Sequence, residues 1–342
     1  MHIAVDAMGG DYAPRAIVRG ASLAARKDHT PILLVGQEDV LKRELRRLPG
    51  ARHRIEIVHA EEVVGMDEPA ISPIRRKRRS SIRVCCELVR DGRAQAVVTA
   101  GNTGAAMISA KMVMGTLGGV DRPALAVVFP NRTGRTVLLD VGANVDTKPA
   151  QLREFAVMGH SFAQEILGTP SPRVGLLSIG QEEGKGSDVT REVFRVLQTT
   201  GLNFIGNVEG LGVFSGEVDV VVCDGFVGNV LLKGAESLAS LLGSMMREEL
   251  GRSWRTRLGY LLARPAFERF RRRTDYREYG AVPLLGVRGA CLIGHGRSNP
   301  RAIRNSIRRA VEFVSADLDT KISDKVAELH AQEERLLGLQ TA

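Results

Sequence analysis

Aromatic side chains are scarce in this chain of 342 residues, at 4% with a single tryptophan. A surface of base-stacking platforms for single-stranded nucleic acid is therefore disfavoured, and no nucleic-acid partner is expected. Cysteine is sparse too: Cys85, Cys86, Cys223 and Cys291 form no C-x-x-C pair, and two of them lie in very apolar runs. Structural or free thiols are expected rather than disulfides or a zinc site. No stretch approaches the roughly 18 uninterrupted apolar residues of a membrane-spanning helix. The first strand-like run starts at His2, leaving no room for a secretory leader, so a cytoplasmic location is the default expectation. Also missing are G-x-G-x-x-G and G-x-x-x-x-G-K-[ST], the fingerprints of ordinary dinucleotide and nucleoside triphosphate sites.

Apolar residues and positive charge are plentiful. A hydrophobic content of 44% supports a substantial core, in one large α/β unit or two smaller domains sharing an interface. A formal net charge of +9 points to anionic partners such as phosphate, an acidic protein, an anionic membrane surface or nucleic acid. Two basic clusters stand out. One is Arg75-Arg76-Lys77-Arg78-Arg79; the other runs from Arg247 to Arg273 and sets nine arginines against three glutamates.

Short runs rich in Val, Ile and Leu recur at 2–8, 31–36, 54–60, 94–100, 124–130, 135–142, 173–180, 203–209, 218–224 and 289–295, and read as buried strands. Amphipathic stretches of helical length lie between many of them, at 14–28, 39–48, 81–91, 104–116, 149–167, 188–199 and 229–250. That alternation predicts an α/β fold with a mostly parallel sheet covered on both faces. The runs at 124–130 and 135–142, joined by Asn131-Arg132-Thr133-Gly134, read as a hairpin and make the sheet mixed. No repeat or low-complexity linker divides the chain, which is read as a single unit over 1–342. A helical excursion is expected at about 240–276, and Asn299-Pro300 caps a C-terminal helix from about 300.

In open α/β sheets, ligands bind beyond the carboxyl ends of strands, where helix N-termini expose N–H groups. Five strand ends carry small residues flanked by polar groups: Asp6 with Gly9, Gly10 and Asp11; Gly101-Asn102-Thr103-Gly104; Asp140 with Asn144 and Asp146; Gly180 with Lys185; and Asp224 with Asn229. One shared cleft explains them economically, although a glycine after a strand often makes only a turn. Thr103 either N-caps the following helix or holds a phosphate at its positive end. Lys185, between two glycines, either reaches an anion or pairs with Glu182 or Glu183. His295 ends a strand and is a candidate to face the cleft, while Cys223 reads as core packing. The carboxylates show no recognisable ligand spacing, so no metal is expected.

The blocks VDAMGGD at 5–11, TAGNTGA at 99–105, DRPALAVVFP at 121–130, LLDVGANVDTKP at 138–149, VCDGFVGNVLLK at 222–233 and LLGVRGACLIGHGRSN at 284–299 resemble, in order and spacing, the PlsX family of phosphate acyltransferases. The resemblance covers nearly the whole chain. It implies a three-layer α/β/α fold similar to phosphotransacetylases and the isocitrate dehydrogenase group, and a homodimer with no cofactor. It further implies conversion of acyl–[acyl carrier protein] and inorganic phosphate to acyl phosphate, which feeds the membrane glycerol-3-phosphate acyltransferase PlsY. Gln181 stands where relatives often carry glutamate, and Pro73 where a smaller, helix-compatible residue is common.

With that resemblance, Gly101 to Gly104 together with Ser80, Ser81 and Arg75 are expected to hold phosphate. Asp6, Gly9, Gly10, Asp11, Asp140, Asn144, Gly180 and His295 are expected to line the same substrate site. Lys185 and Asn229 would stabilise the tetrahedral oxyanion, with Asp224 orienting one of them or accepting a proton. The run Arg75 to Arg79 is expected to dock the acidic carrier protein, the alternative being a solvated helix start. Residues 230–262 place apolar side chains at near-helical spacing, which suggests a dimer interface first and then reversible docking on anionic lipid through Trp254, Leu258, Leu261, Phe267 and Arg271. Two other classes compete: a metal- and NAD-dependent decarboxylating dehydrogenase, and a non-catalytic basic protein that binds membrane or nucleic acid.

Overall fold

The structure is a computed structural model that describes residues 1–48, 50, 54–274 and 280–340, without the side chains of 271–274 and 332–340. Eleven strands form one sheet: β1 (Ile3–Asp6), β2 (Ile32–Gly36), β3 (Ile55–His59), β4 (Ala96–Thr99), β5 (Ala124–Pro130), β6 (Arg135–Leu139), β7 (Val174–Leu177), β8 (Phe204–Val208), β9 (Val220–Val222), β10 (Ala281–Leu285) and β11 (Ala290–Gly294). The helices are α1 (Arg15–Lys27), α2 (Glu38–Arg46), α3 (Ser72–Arg75), α4 (Ser81–Arg90), α5 (Thr103–Ser109), α6 (Pro149–Glu165), α7 (Asp188–Leu197), α8 (Gly212–Ser215), α9 (Gly225–Gly251), α10 (Trp254–Thr274), α11 (Pro300–Ser315) and α12 (Leu318–Gln340). A π-helical turn, Ala110–Met114, prolongs α5.

The strand order is β3-β2-β1-β4-β11-β10-β5-β6-β9-β7-β8. From β3 to β11 the neighbours are parallel, and from β6 to β8 they are parallel again. Three antiparallel junctions separate the two sets, β11 with β10, β10 with β5, and β5 with β6. The second parallel set therefore runs opposite to the first. The carboxyl ends of β1, β4 and β11 point one way along the sheet, and those of β6, β7 and β9 point the other.

Strand alternation sends every second side chain to each face. Ile3 and Val5 of β1 join a core with α1, α6, α7, α11 and α12, whereas Ala4 joins one with α4, α5 and α9. Both faces are covered, which is why these strands read as continuous apolar runs. The three-layer α/β/α arrangement is the expected one. The expected hairpin is β5 and β6, in register from Ala126 opposite Leu139 to Pro130 opposite Arg135. Asn299 caps α11 by accepting the Ala302 N–H at 3.0 Å, with Pro300 in the first turn.

Two carboxylates are packed at α12, Glu154 buried beneath it and Asp319 half-buried in its first turn. Glu154 of α6 accepts the Asp121 N–H at 3.0 Å and lies 3.8 Å from His330 Nε2, and Asp319 accepts the Gly289 N–H at 2.6 Å. Burial, with Asp121 nearby, raises Glu154 from its ordinary 4.5 to about 7, and burial, with Asp317, raises Asp319 to about 6. A raised carboxylate favours the folded state while protonated, and that contribution is lost as pH rises through the folded value. Urea midpoints should therefore fall between pH values below 5 and above 7 for these two groups, and Glu154→Gln should flatten the slope; an unchanged slope would contradict the assignment.

Candidate active site

β5 and β10 pair at only two positions, Ala124 with Leu285 and Leu125 with Leu284. The next pair would set Ala126 against Pro283, and proline has no N–H to donate to a ladder. Beyond that point β10 stays paired with β11, and β5 stays paired with β6. The two strands part, and a cleft of about 680 Å³ opens between them. Asn229, Leu232, Lys233, Glu236 and Ser240 also line it, a spacing that puts one face of α9 along its wall.

The cleft joins both halves of the sheet. Thr103 and His295 reach it from the first half, Gly142 and Asn229 from the second. Asn102, not Thr103, caps α5: its Oδ1 accepts the Ala105 N–H at 2.9 Å, and its Nδ2 donates to the carbonyls of Met66 and Glu68, both at 2.9 Å. This corrects the capping alternative for Thr103, whose hydroxyl is left free of that duty. His295 Nδ1 accepts the Arg297 N–H at 3.0 Å, so the neutral ring carries its proton on Nε2 and offers a donor there. Tyr12, Lys233 and Arg297 also line the cleft, and the sequence reading missed them in this role. The signal for Arg297 was its place directly after Gly294-His295-Gly296 at a strand end.

Two carboxylates hold the loops in shape. Asp6, buried at the end of β1, accepts the Thr99 hydroxyl at 2.8 Å and the Met8 N–H at 3.2 Å. Thr99 Oγ1 in turn accepts the Gly101 N–H at 3.0 Å. A Cβ at Gly9 would stand 2.6 Å from Asp6 Oδ2 and 2.8 Å from Gly101 Cα, so only glycine lets these loops cross. Asp6, Gly9, Ser81, Gly101 and Asn102 enclose a void of about 10 Å³, the size of one water rather than a phosphate. Gly10 has a positive φ beside the carbonyls of Ala100 and Gly296, and Asp11 donates its N–H to Gly296 at 2.8 Å. Ser80 is fully buried, and its Oγ has no partner among the described residues.

Asp140 plays the matching part after β6. It is fully buried and accepts the N–H groups of Leu125, Gly142, Ala143 and Asn144 at 2.6 to 3.2 Å. Asn144 Nδ2 donates to Asp140 and to the Pro123 carbonyl, and its own carbonyl accepts the Gly225 N–H. Burial raises the pKa of both Asp6 and Asp140 despite these bonds. The polar atoms of Asp6, Asp140 and Asn144 are thus engaged by neighbouring side chains and loop backbone within the walls.

Other expected residues lie elsewhere. Asp224 caps α9, its Oδ1 accepting the Val227 N–H at 2.8 Å. Lys185 is exposed in the loop after β7, beside Gly180, and neither lines the cleft. Burial pushes the Cys223 thiol well above its ordinary value, and its Sγ donates to the Asp140 carbonyl at 3.4 Å. In the basic block, Pro73 sits in the first turn of α3, where proline is tolerated. Lys77 pairs with Glu68 and Arg79 with Glu61, while Arg75, Arg76 and Arg78 are exposed. Trp254, Leu258 and Leu261 are exposed on α10, and Phe267 packs against Tyr260 at 5.2 Å between ring centroids. The Arg271 side chain lies outside the described residues. Among the described residues, no helix is long and apolar enough to cross a membrane, and no group of three or more His, Cys, Asp or Glu side chains is placed to hold a metal ion.

The three-layer fold on a mixed sheet is similar to that of solved phosphotransacetylases. A phosphotransacetylase from Streptococcus pyogenes aligns with a TM-score of 0.62 at 16% identity, covering 93% of this chain and 94% of that one. Sequence relatives are nearer. A phosphate acyltransferase of Acidobacterium capsulatum is 53% identical over 321 residues, covering 94% of this chain and 95% of its own. One from Pelotomaculum thermopropionicum is 51% identical over 332 residues, covering 97% of each. The chain belongs to the family described as fatty acid synthesis protein, whose model matches residues 1–321.

Replacing Pro283 restores a ladder donor where the strands part. With a ladder bond contributing about 1 kcal/mol, Pro283→Val should slow amide exchange severalfold along 126–128 and 281–283 and narrow the cleft. Exchange as fast as in the native protein would show that something other than this proline holds the strands apart.

Proposed function

We propose that this protein is a phosphate acyltransferase, forming acyl phosphate from acyl–[acyl carrier protein] and inorganic phosphate in phospholipid synthesis. The observation that carries the reading is the cleft itself, which Thr103 at a helix N-terminus shares with Asn229 and Lys233 from the other half of the sheet. Phosphate sits at the Thr103 and Gly104 end of α5, with Arg297 and Lys233 supplying positive charge. A phosphate oxygen attacks the thioester carbonyl carbon, and Asn229 Nδ2 and His295 Nε2 donate to the resulting oxyanion. Collapse breaks the C–S bond, and the pantetheine thiolate takes up the proton that phosphate gives up. No enzyme nucleophile is needed, so catalysis rests on placement and charge.

Asp224, as the cap of α9, acts by positioning Asn229. Lys185 contributes its charge from the exposed loop after β7. Asn229→Ala should lower kcat by about a hundredfold, read as phosphate-dependent acyl phosphate captured by hydroxylamine. Lys185→Ala tests the loop separately, because near-native turnover in a folded variant would remove this residue from the mechanism. Acyl phosphate formed without added NAD or metal ion is the expected result; strict dependence on either would favour the dehydrogenase class.

The exposed arginines Arg75, Arg76 and Arg78 form the surface for the acidic carrier protein. Reversing Arg76 and Arg78 to glutamate should raise KM for carrier-protein substrates by about tenfold or more, while small acyl thioesters react as before. Equal losses on both substrates would count against docking there. Leu238, Leu241, Leu242 and Met245, all more than half exposed at helical spacing on α9, suit a second copy of this chain in a homodimer. The basic, apolar surface of α10 suits an anionic membrane, giving a cytoplasmic protein peripherally attached where PlsY consumes its labile product.

A further inference from the structure

The cleft does not stop at the sheet. Ala126 and Val128 of β5 point to the α6 face, whereas Leu125 and Val127 point to the α9 face, and all four line it. It therefore passes through the gap between β5 and β10 and continues on the far side. There the walls are Ile166 and Leu167 at the end of α6, with Phe162 and Phe313 behind them. Those two rings meet edge to face, their centroids 5.4 Å apart, and both are buried. Ala126 and Ala281, small residues on the two facing strand edges, leave the gap its width. The α9 side mixes Asn229, Lys233, Glu236 and Ser240 with Leu125, Val127, Val141 and Leu232, whereas the α6 side is mostly apolar, with Arg309 of α11 among its lining.

We infer that the gap between β5 and β10 is the channel for the substrate's acyl chain, and that Ile166, Leu167, Phe162 and Phe313 form the floor that sets the chain length accepted. This deepens the acyl phosphate reading and rests on it. With the thioester carbonyl at Thr103, Asn229 and His295, the chain runs through the sheet toward α6 and α11, where Ile166, Leu167, Phe162 and Phe313 offer it apolar contact. Each methylene that enters gains about fourfold in affinity from burial. A fixed floor turns that gain into a cut-off, since a longer chain has to fold back or displace a packed ring.

The test compares acyl phosphate formation from palmitoyl and butyryl carrier-protein thioesters. Ile166 is only half-buried, so Ile166→Trp fills the far end with limited strain on the core. The ratio of kcat/KM for palmitoyl over butyryl should fall by at least about tenfold. A ratio unchanged from the native enzyme, or equal losses on both substrates, would overturn the channel while leaving the acyl phosphate reading intact. Failure of the native enzyme to form acyl phosphate from either substrate would sink that reading itself. A measurement on the native enzyme guards against misfolding of the variant. A palmitoyl thioester with a diazirine on its terminal carbon should label the end of α6 or the Phe313 turn of α11. Labelling confined to α9, α10 or the protein surface would refute the proposed route.

Discussion

Two residue pairs join the halves of this molecule across the middle of its sheet, and the cleft exists because that ladder ends so early. Had β5 and β10 paired along their whole length, the eleven strands would form an unbroken wall with loops at its rims. Proline at 283 ends the pairing after Leu284, and the strands separate while each keeps its other neighbour. The cleft is therefore lined by strand edges, helix faces and loops from both halves. This is also how residues whose strands run in opposite directions come to face one space.

The loops that reach the cleft are held by a device used twice. Asp6 ends β1 and Asp140 directly follows β6; both lie buried and gather hydroxyl or N–H groups from the chain as it turns. A buried carboxylate is costly unless its lone pairs are satisfied, and these two are satisfied by the loops they shape, through side chains and backbone N–H groups. Glycine supplies the complementary half of the device. Gly9 passes against Gly101, and Gly228 lies so close to the Asp140 carbonyl that a side chain there would collide with it. Acidic residues that read from sequence as ligands to substrate thus serve the geometry of their neighbours.

Much of the fold was legible because buried parallel strands are apolar on both faces and their helices amphipathic on one. The runs marked ten strands to within a few residues, the hairpin of β5 and β6 declared itself through its short polar turn, and the breaks between α9 and α10 and between α11 and α12 went unmarked. β10 was not marked as a separate strand, since Pro283 in its centre argues against strand structure when pairing is unknown. The site was half legible. Thr103, Asn229 and His295 stood out as polar groups after apolar runs, and the cleft gathers them. Sequence distance could not tell that Asn102 takes the capping duty, that Asp6 and Asp140 turn inward, or that the loop of Lys185 lies away from the cleft wall. Those outcomes depend on which neighbours the topology delivers, and strand order is not written in any local run.

Helix α9 begins where the Asn144 carbonyl receives the Gly225 N–H, and it continues for 27 residues. At 1.5 Å per residue that is a rod about 40 Å long. Its first turns carry Asn229 and Lys233 into the cleft, while its distal half presents bare leucines and methionines to whatever covers them. One continuous helix thus carries both the polar side chains that enter the cleft and the exposed apolar side chains of its distal half.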